Sequence, residues 1–233
     1  MRKMDKAFGH AKQALALIPE NISAMALMRH AERKEFAVGH HGNDILLTDQ
    51  GKEDAHAMGE LMKSRISRLF HSPVPRCLQT AEQLADGSGG HVCPEELMAL
   101  RCDAYVDNFD AALTTLQRLV SEDNFYDVFV NTMATSGKNI PYPYFKPPLV
   151  GAGDLTRPML SCSGICVGVT HDWLVNVAAS YATGNIVGRT EYAGFLDTLF
   201  VWRENGGLRF YYKGRQGVCG DDFVRAVAVE SGL

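Results

Sequence analysis

Residues Met25 to Met28 form an apolar run that stops abruptly at Arg29-His30-Ala31-Glu32-Arg33. A short run of this kind fits a strand buried on both faces, as in the parallel sheets of α/β proteins. Open α/β sheets place their chemistry beyond the carboxyl ends of the strands. Here that end carries an imidazole between two guanidiniums. A neutral histidine beside two arginines is a poor metal ligand, because a cation would add to positive charge already present. The same trio suits a dianionic phosphate: arginine forks bind its oxygens bidentately while the imidazole attacks phosphorus.

Two later stretches repeat the design. In Leu69 to Ala81 apolar residues lead into a turn with two prolines, and Arg76 then opens a helical pattern. Ile165 to Asp172 is a second buried-strand pattern, ending in His171 and Asp172. Four motifs thus follow one another: Arg29-His30-x-x-Arg33, Leu47-Thr48-x-x-Gly51, Ser72-x-x-x-Arg76-x-x-Gln79-Thr80-Ala81, and the late His171. In this order they resemble the histidine phosphatase superfamily, which also contains the cofactor-dependent phosphoglycerate mutases. The resemblance implies a phosphoglycerate mutase-like fold and chemistry through a phosphohistidine.

Composition narrows the alternatives. The chain has 233 residues, 46% hydrophobic and 21% charged, with a net charge of −4. That is enough for one sizeable α/β domain over residues 1–233. The negative balance argues against a broad nucleic-acid or acidic-membrane surface, so phosphate affinity must come from a local arginine cluster. No apolar run is long enough to span a bilayer. Ala14 to Ile18 is too short and interrupted for a signal sequence. The six cysteines lack metal-site spacing, and several lie in apolar runs, which fits a reducing, cytoplasmic compartment. The expected partner is a small phosphorylated substrate, with no nucleic acid, no membrane and no cofactor; oligomeric state stays open.

Along the chain, an accessory helix is predicted over about 5–18, stopped by Pro19, and a first strand over Ile22 to Met28. His40 and His41 sit in the loop that follows, close enough in sequence to touch substrate. Thr48 is the N-cap of a helix whose buried stripe runs Ala55, Met58, Met62 and Ile66, with Lys63, Arg65 and Arg68 at its end. A second strand is expected over Ser67 to Phe70 and a third over His91 to Cys93, with Pro94 to Leu100 opening a helix. Further amphipathic patterns cover Phe109 to Val120 and Trp173 to Tyr181, the latter closed by Gly184. Residues 131–164 hold five prolines with Tyr142, Tyr144 and Phe145, and read as a long loop inserted as a lid over the site. Asn205-Gly206 between two β-rich runs is a hairpin signal. The alternation gives a three-layer α/β/α sandwich with a mostly parallel sheet and an antiparallel edge.

The resemblance assigns roles residue by residue: His30 as nucleophile, Arg29 and Arg76 as phosphate binders, and His171 as their partner. Arg33 falls where the acid-phosphatase branch carries a further phosphate-binding arginine. In that branch the proton donor is the Asp after the late His, here Asp172. The mutase-like branch uses a Glu after the second Arg motif, where Glu95, Glu96 and Asp103 stand. Asp172 is the favoured acid. Both branches commonly have Gly where this chain has Ala31, whose methyl is expected to narrow the pocket floor. The reading is a metal-independent phosphatase for a small phosphomonoester, possibly a sugar phosphate. The alternatives are a mutase or phosphotransferase on the same phosphohistidine, or a phosphate-binding pseudoenzyme.

Overall fold

The computed structural model describes residues 3–35, 44–121, 125–135 and 142–228. His40 and His41 lie outside them. A helix α1 (Lys3–Leu17) precedes the first strand β1 (Ala24–Arg29), followed by α2 (Asp49–Met62), β2 (Ile66–His71), α3 (Pro75–Gly87) and β3 (Pro94–Glu96). Then come α4 (Phe109–Ser121), α5 (Asn131–Thr135), α6 (Pro148–Leu160), β4 (Ile165–Thr170) and α7 (Asp172–Thr183). The chain closes with β5 (Thr198–Glu204), β6 (Gly207–Tyr212), β7 (Arg215–Val218) and α8 (Asp221–Ala228).

The strands form one sheet in the order β3-β2-β4-β1-β5-β6-β7. The first four run parallel and the last three are joined antiparallel. Successive residues of β1 point to opposite faces. Met25 and Leu27 enter a core built with α4, α6, α7 and α8, whereas Ala24, Ala26 and Met28 enter one built with α1, α2 and α3. The expected three layers follow from that alternation. Both predicted hairpin residues take positive φ, 51° at Asn205 and 80° at Gly206, the geometry of a two-residue turn between twisted strands. Lys213 and Gly214 repeat it, with φ of 48° and 85°, and add β7.

Several expectations need correction. Ile66 is not on the buried stripe of α2 but opens β2, after a single 3₁₀ turn at Lys63–Arg65. Arg65 does not serve the α2 dipole. Its guanidinium donates to the carbonyls of Leu15, Ile18 and Pro19 and so closes the end of α1. The short edge strand is Pro94–Glu96 rather than His91 to Cys93, and no helix starts there. Residues 131–164 are not a loop without elements, since they contain α5 and α6. Pro148 occupies the first turn of α6, where a missing N–H costs nothing, and Leu155 and Met159 bury its inner face despite Pro158. Phe145 is no lid either. It is buried, with its ring 5.3 Å from Phe129, and Phe129 lies 5.6 Å from Trp173. Tyr142 packs 6.0 Å from Phe145 in the same aromatic group, and Tyr144 alone of the three is exposed.

Candidate active site

β2, β4 and β1 are parallel neighbours, so their carboxyl ends meet on one edge of the sheet. Each delivers one of the motifs. Arg29 closes β1 opposite Thr170 of β4, and His30 and His171 follow directly. Ser72 follows β2, and Pro75 and Arg76 open α3. Residues distant in sequence thus converge because the strand order brings their ends together.

His30 is buried. Its Nδ1 donates to the carbonyl of Ala31 at 2.8 Å, while Arg76 Nε donates to its Nε2 at 3.0 Å. The first bond fixes the tautomer, leaving a lone pair on Nε2. Arg76 reaches further and donates from Nη2 to His171 Nδ1 at 3.1 Å. His171 therefore carries its proton on Nε2 and donates it to Ser72 Oγ at 3.2 Å. The two imidazoles stand edge to face with centroids 5.8 Å apart.

Burial, then Arg76, pushes the His171 pKa from its ordinary 6.5 to about 3, with Asp172 opposing and Arg29 adding to the fall. Burial likewise lowers His30 well below 6.5, helped by His171, Arg76 and Arg29. Both rings are neutral at neutral pH, as a nucleophilic lone pair on His30 requires. Arg76 is itself depressed, chiefly by desolvation. The site is a buried concentration of positive charge.

Arg29 Nη2 pairs with Asp172 Oδ2 at 3.2 Å, and its Nη1 donates to Ala193 O at 2.7 Å. Its buried Nε has no hydrogen-bond partner. The other Asp172 oxygen accepts the Trp173 N–H at 2.8 Å, so both carboxylate oxygens act as acceptors here. Phe195 lies over Arg29, 4.5 Å from guanidinium carbon to ring centroid, and 5.7 Å from the His30 ring.

The motif residues that carry no charge hold this geometry. Thr80 Oγ1 accepts the Ala31 N–H at 3.0 Å and donates to Arg76 O at 2.7 Å, tying the loop after β1 to α3. Gln79 Oε1 accepts the Leu47 N–H at 2.9 Å. Thr48 caps α2 by accepting from Gly51 N, and a Cβ on Gly51 would lie 2.1 Å from Glu32 O. Ala31 is fully buried in the apolar cluster with Met28, Leu47 and Cys77.

The remaining candidates lie apart from this group. Arg33 bridges to Leu47 and donates to Lys34 O at 2.8 Å. Glu95, on β3, is half-exposed and paired with Arg68 of β2 rather than with any residue of this group. Glu96 is exposed, and Asp103 is held bidentately by Arg101. Ser72 and Thr80 were legible only as motif letters, and Phe195, a lone aromatic between Gly194 and Leu196, carried no signal at all. Among the described residues no three His, Cys, Asp or Glu side chains group as metal ligands. Nor is any helix among them long and apolar enough to cross a membrane.

Residues 25–101 match the model of the histidine phosphatase superfamily (branch 1). Among solved structures, mycobacterial glucosyl-3-phosphoglycerate phosphatase Rv2419c with VO3 is similar at a TM-score of 0.53 and 16% identity, over 84% of this chain and 98% of that one. Phosphoglycerate mutase from Bacillus anthracis str. Sterne is similar at 0.51 and 13% identity, over 90% and 96%. A structure described as mycobacterial hydrolase 2 reaches 0.53 at 14% identity, over 89% and 97%. No curated protein matches the sequence. The resemblance read from the four motifs is shown over their first part, and the fold is that of phosphoglycerate mutase-like proteins.

Proposed function

We propose that this chain, a histidine phosphatase superfamily relative in sequence and fold, is a metal-independent phosphatase of small phosphomonoesters. A sugar phosphate is one such substrate, and the neighbour's name gives a sugar-bearing phosphomonoester, glucosyl-3-phosphoglycerate. One observation carries the reading: a neutral, tautomer-fixed His30 whose Nε2 lone pair faces Arg76, beside Arg29 and His171.

In the proposed reaction the phosphoryl oxygens take over the guanidinium N–H groups of Arg29 and Arg76 that now serve Asp172 and the two imidazoles. His30 Nε2 attacks phosphorus, and the bond from phosphorus to the ester oxygen breaks. With Arg29 turned to the phosphate, Asp172 loses its cationic partner and faces the substrate's negative charge. Both changes favour its protonated form. Asp172 then gives that proton to the departing oxygen. Water attacks the phosphohistidine, its proton returns to Asp172, and phosphate leaves with His30 neutral again. The arginines supply the charge a divalent ion would otherwise provide.

The test is phosphate release from a panel of phosphomonoesters in EDTA. Wild type should turn over at least one of them, and His30→Ala should lose activity by about 10³-fold or more. A well-folded His30→Ala protein within tenfold of wild type would sink the mechanism.

A further inference from the structure

The segment from Tyr192 to Asp197 is fixed by an unusual number of polar contacts for a connection between elements. Ala193 is held through both of its backbone polar groups, its N–H by Asn176 Oδ1 at 2.8 Å and its carbonyl by Arg29 Nη1 at 2.7 Å. Asp197 Oδ2 accepts the Gly194 N–H at 2.8 Å and pairs with Lys213 Nζ at 2.9 Å. Lys213 also donates to Tyr192 O at 2.9 Å. The backbone of Arg29 exchanges two further bonds with the segment, to Asp197 O at 3.1 Å and from Leu196 N at 3.2 Å. Leu196 is buried at a φ of 59°, a left-handed conformation that a leucine adopts only when its surroundings impose it.

All this anchoring presents one side chain. Phe195 is half-buried, stacked on Arg29 and tilted against His30. An apolar side chain so placed is kept from the solvent only in part, and it borders both the attacking imidazole and a phosphate-binding guanidinium. Such a ring offers a flat apolar face to whatever is bonded to the phosphorus.

We propose that Phe195 is a specificity-determining residue that selects phosphomonoesters whose leaving group carries a ring on the ester oxygen. This rests on the phosphatase reading above and names its substrate class. The chemistry shared by possible substrates is a flat apolar face, supplied by an aromatic ring or by the C–H face of a sugar. Because the segment is held rigidly, the contact costs little ordering on binding.

The experiment compares wild type, Phe195→Ala and Phe195→Leu on phenyl phosphate, glucose 1-phosphate and acyclic glycerol 3-phosphate. Intrinsic leaving-group reactivity cancels when each substrate is compared between proteins. For Phe195→Ala the ratio of kcat/KM for phenyl phosphate to that for glycerol 3-phosphate should fall about tenfold. Phe195→Leu should fall between the two. If glucose 1-phosphate falls with phenyl phosphate, the wall serves sugar faces as well as aryl ones; if it stays with glycerol 3-phosphate, aryl esters alone are selected. An equal loss on all three would mean that Phe195 only steadies Arg29, and that result, or no change on any, overturns the proposal. Binding of the uncleavable phenylphosphonate and methylphosphonate separates this from the phosphatase reading. Should no ester be turned over, a preference for phenylphosphonate that Phe195→Ala removes upholds the wall while the hydrolytic reading fails. Equal affinities overturn the wall.

Discussion

Arg76 spends two of its donors on imidazole nitrogens, one on each of the two histidines. A guanidinium beside an imidazole makes protonation of that ring costly, and burial adds to the cost. His171 is pushed to about 3 and His30 well below 6.5, whereas in the unfolded chain both titrate near the ordinary value of 6.5. Below that value the unfolded chain binds more protons than the native one, so stability rises with pH across this window. The contribution of His171 is fully present above about pH 6.5 and is lost progressively as the pH falls toward about 3, and that of His30 is likewise lost as the pH falls below its ordinary value. The slope is on the order of 1.4 kcal/mol per pH unit for each histidine. Urea unfolding of His171→Gln at several pH values should give a shallower acid-side slope than wild type; parallel slopes would place the proton uptake elsewhere. Asp172 is tested by its leaving group. An alkoxide needs a proton as it departs and a nitrophenolate does not. Asp172→Asn should therefore cost about 10²–10⁴-fold on an alkyl phosphate and far less on nitrophenyl phosphate. Equal losses would make Asp172 the residue that positions Arg29, with which it pairs at 3.2 Å.

Elements hold these residues through close backbone contact. A Cβ on Gly59 of α2 would lie 2.3 Å from Leu84 O of α3, and one on Gly87 of α3 would lie 2.0 Å from His56 O of α2. The two helices thus touch backbone to backbone, and α3 carries Arg76. Gly59→Ala must push them apart, at a cost of about 1–3 kcal/mol for overpacking. It should also weaken binding of a phosphate analogue, because Arg76 shifts with its helix. A thermal melt beside an affinity measurement checks both, and full stability in the variant would refute the contact. The same helices show why part of the fold was legible. The stripe Ala55, Met58, Met62 and the cap at Thr48 mark α2 without ambiguity, since periodicity and capping agree. In α6 they conflict: Pro147, Pro148 and Pro158 read as breakers, and only burial of Leu155 and Met159 against the sheet overrules them. Phe145 misled for a related reason, because an aromatic near prolines looks like a lid until its partners Phe129 and Trp173 are known. The charged half of the site was legible from the strand ends together with the motif that places Arg76 at the start of a helix, although Arg33 lies apart from it. Phe195 was not, as its position depends on bonds to residues on three other segments, Arg29, Asn176 and Lys213.

At the scale of the molecule, a net charge of −4 coexists with a site whose two arginines, Arg29 and Arg76, lie beyond the carboxyl ends of two parallel strands, β1 and β2. The sheet order puts β1 at the centre, between β4 and β5. Its partners on either side, Ile165 to Thr170 and Thr198 to Trp202, come late in the chain. During synthesis, then, the strand that ends at Arg29, next to His30, emerges early with both of its edges open and waits for most of the protein to be made. Pairings so distant in sequence form slowly, because the intervening loop must close before any contact repays it. Until then Met25-Ala26-Leu27-Met28 is an apolar segment with unpaired backbone on both sides, the kind that associates with other chains. The hairpin of β5 and β6, closed locally by Asn205-Gly206, can form first and offer a ready edge. The cluster of His30, Arg29, Arg76 and His171 is consequently among the last features the growing chain assembles, and slower arrival of its final third lengthens the period in which β1 is exposed.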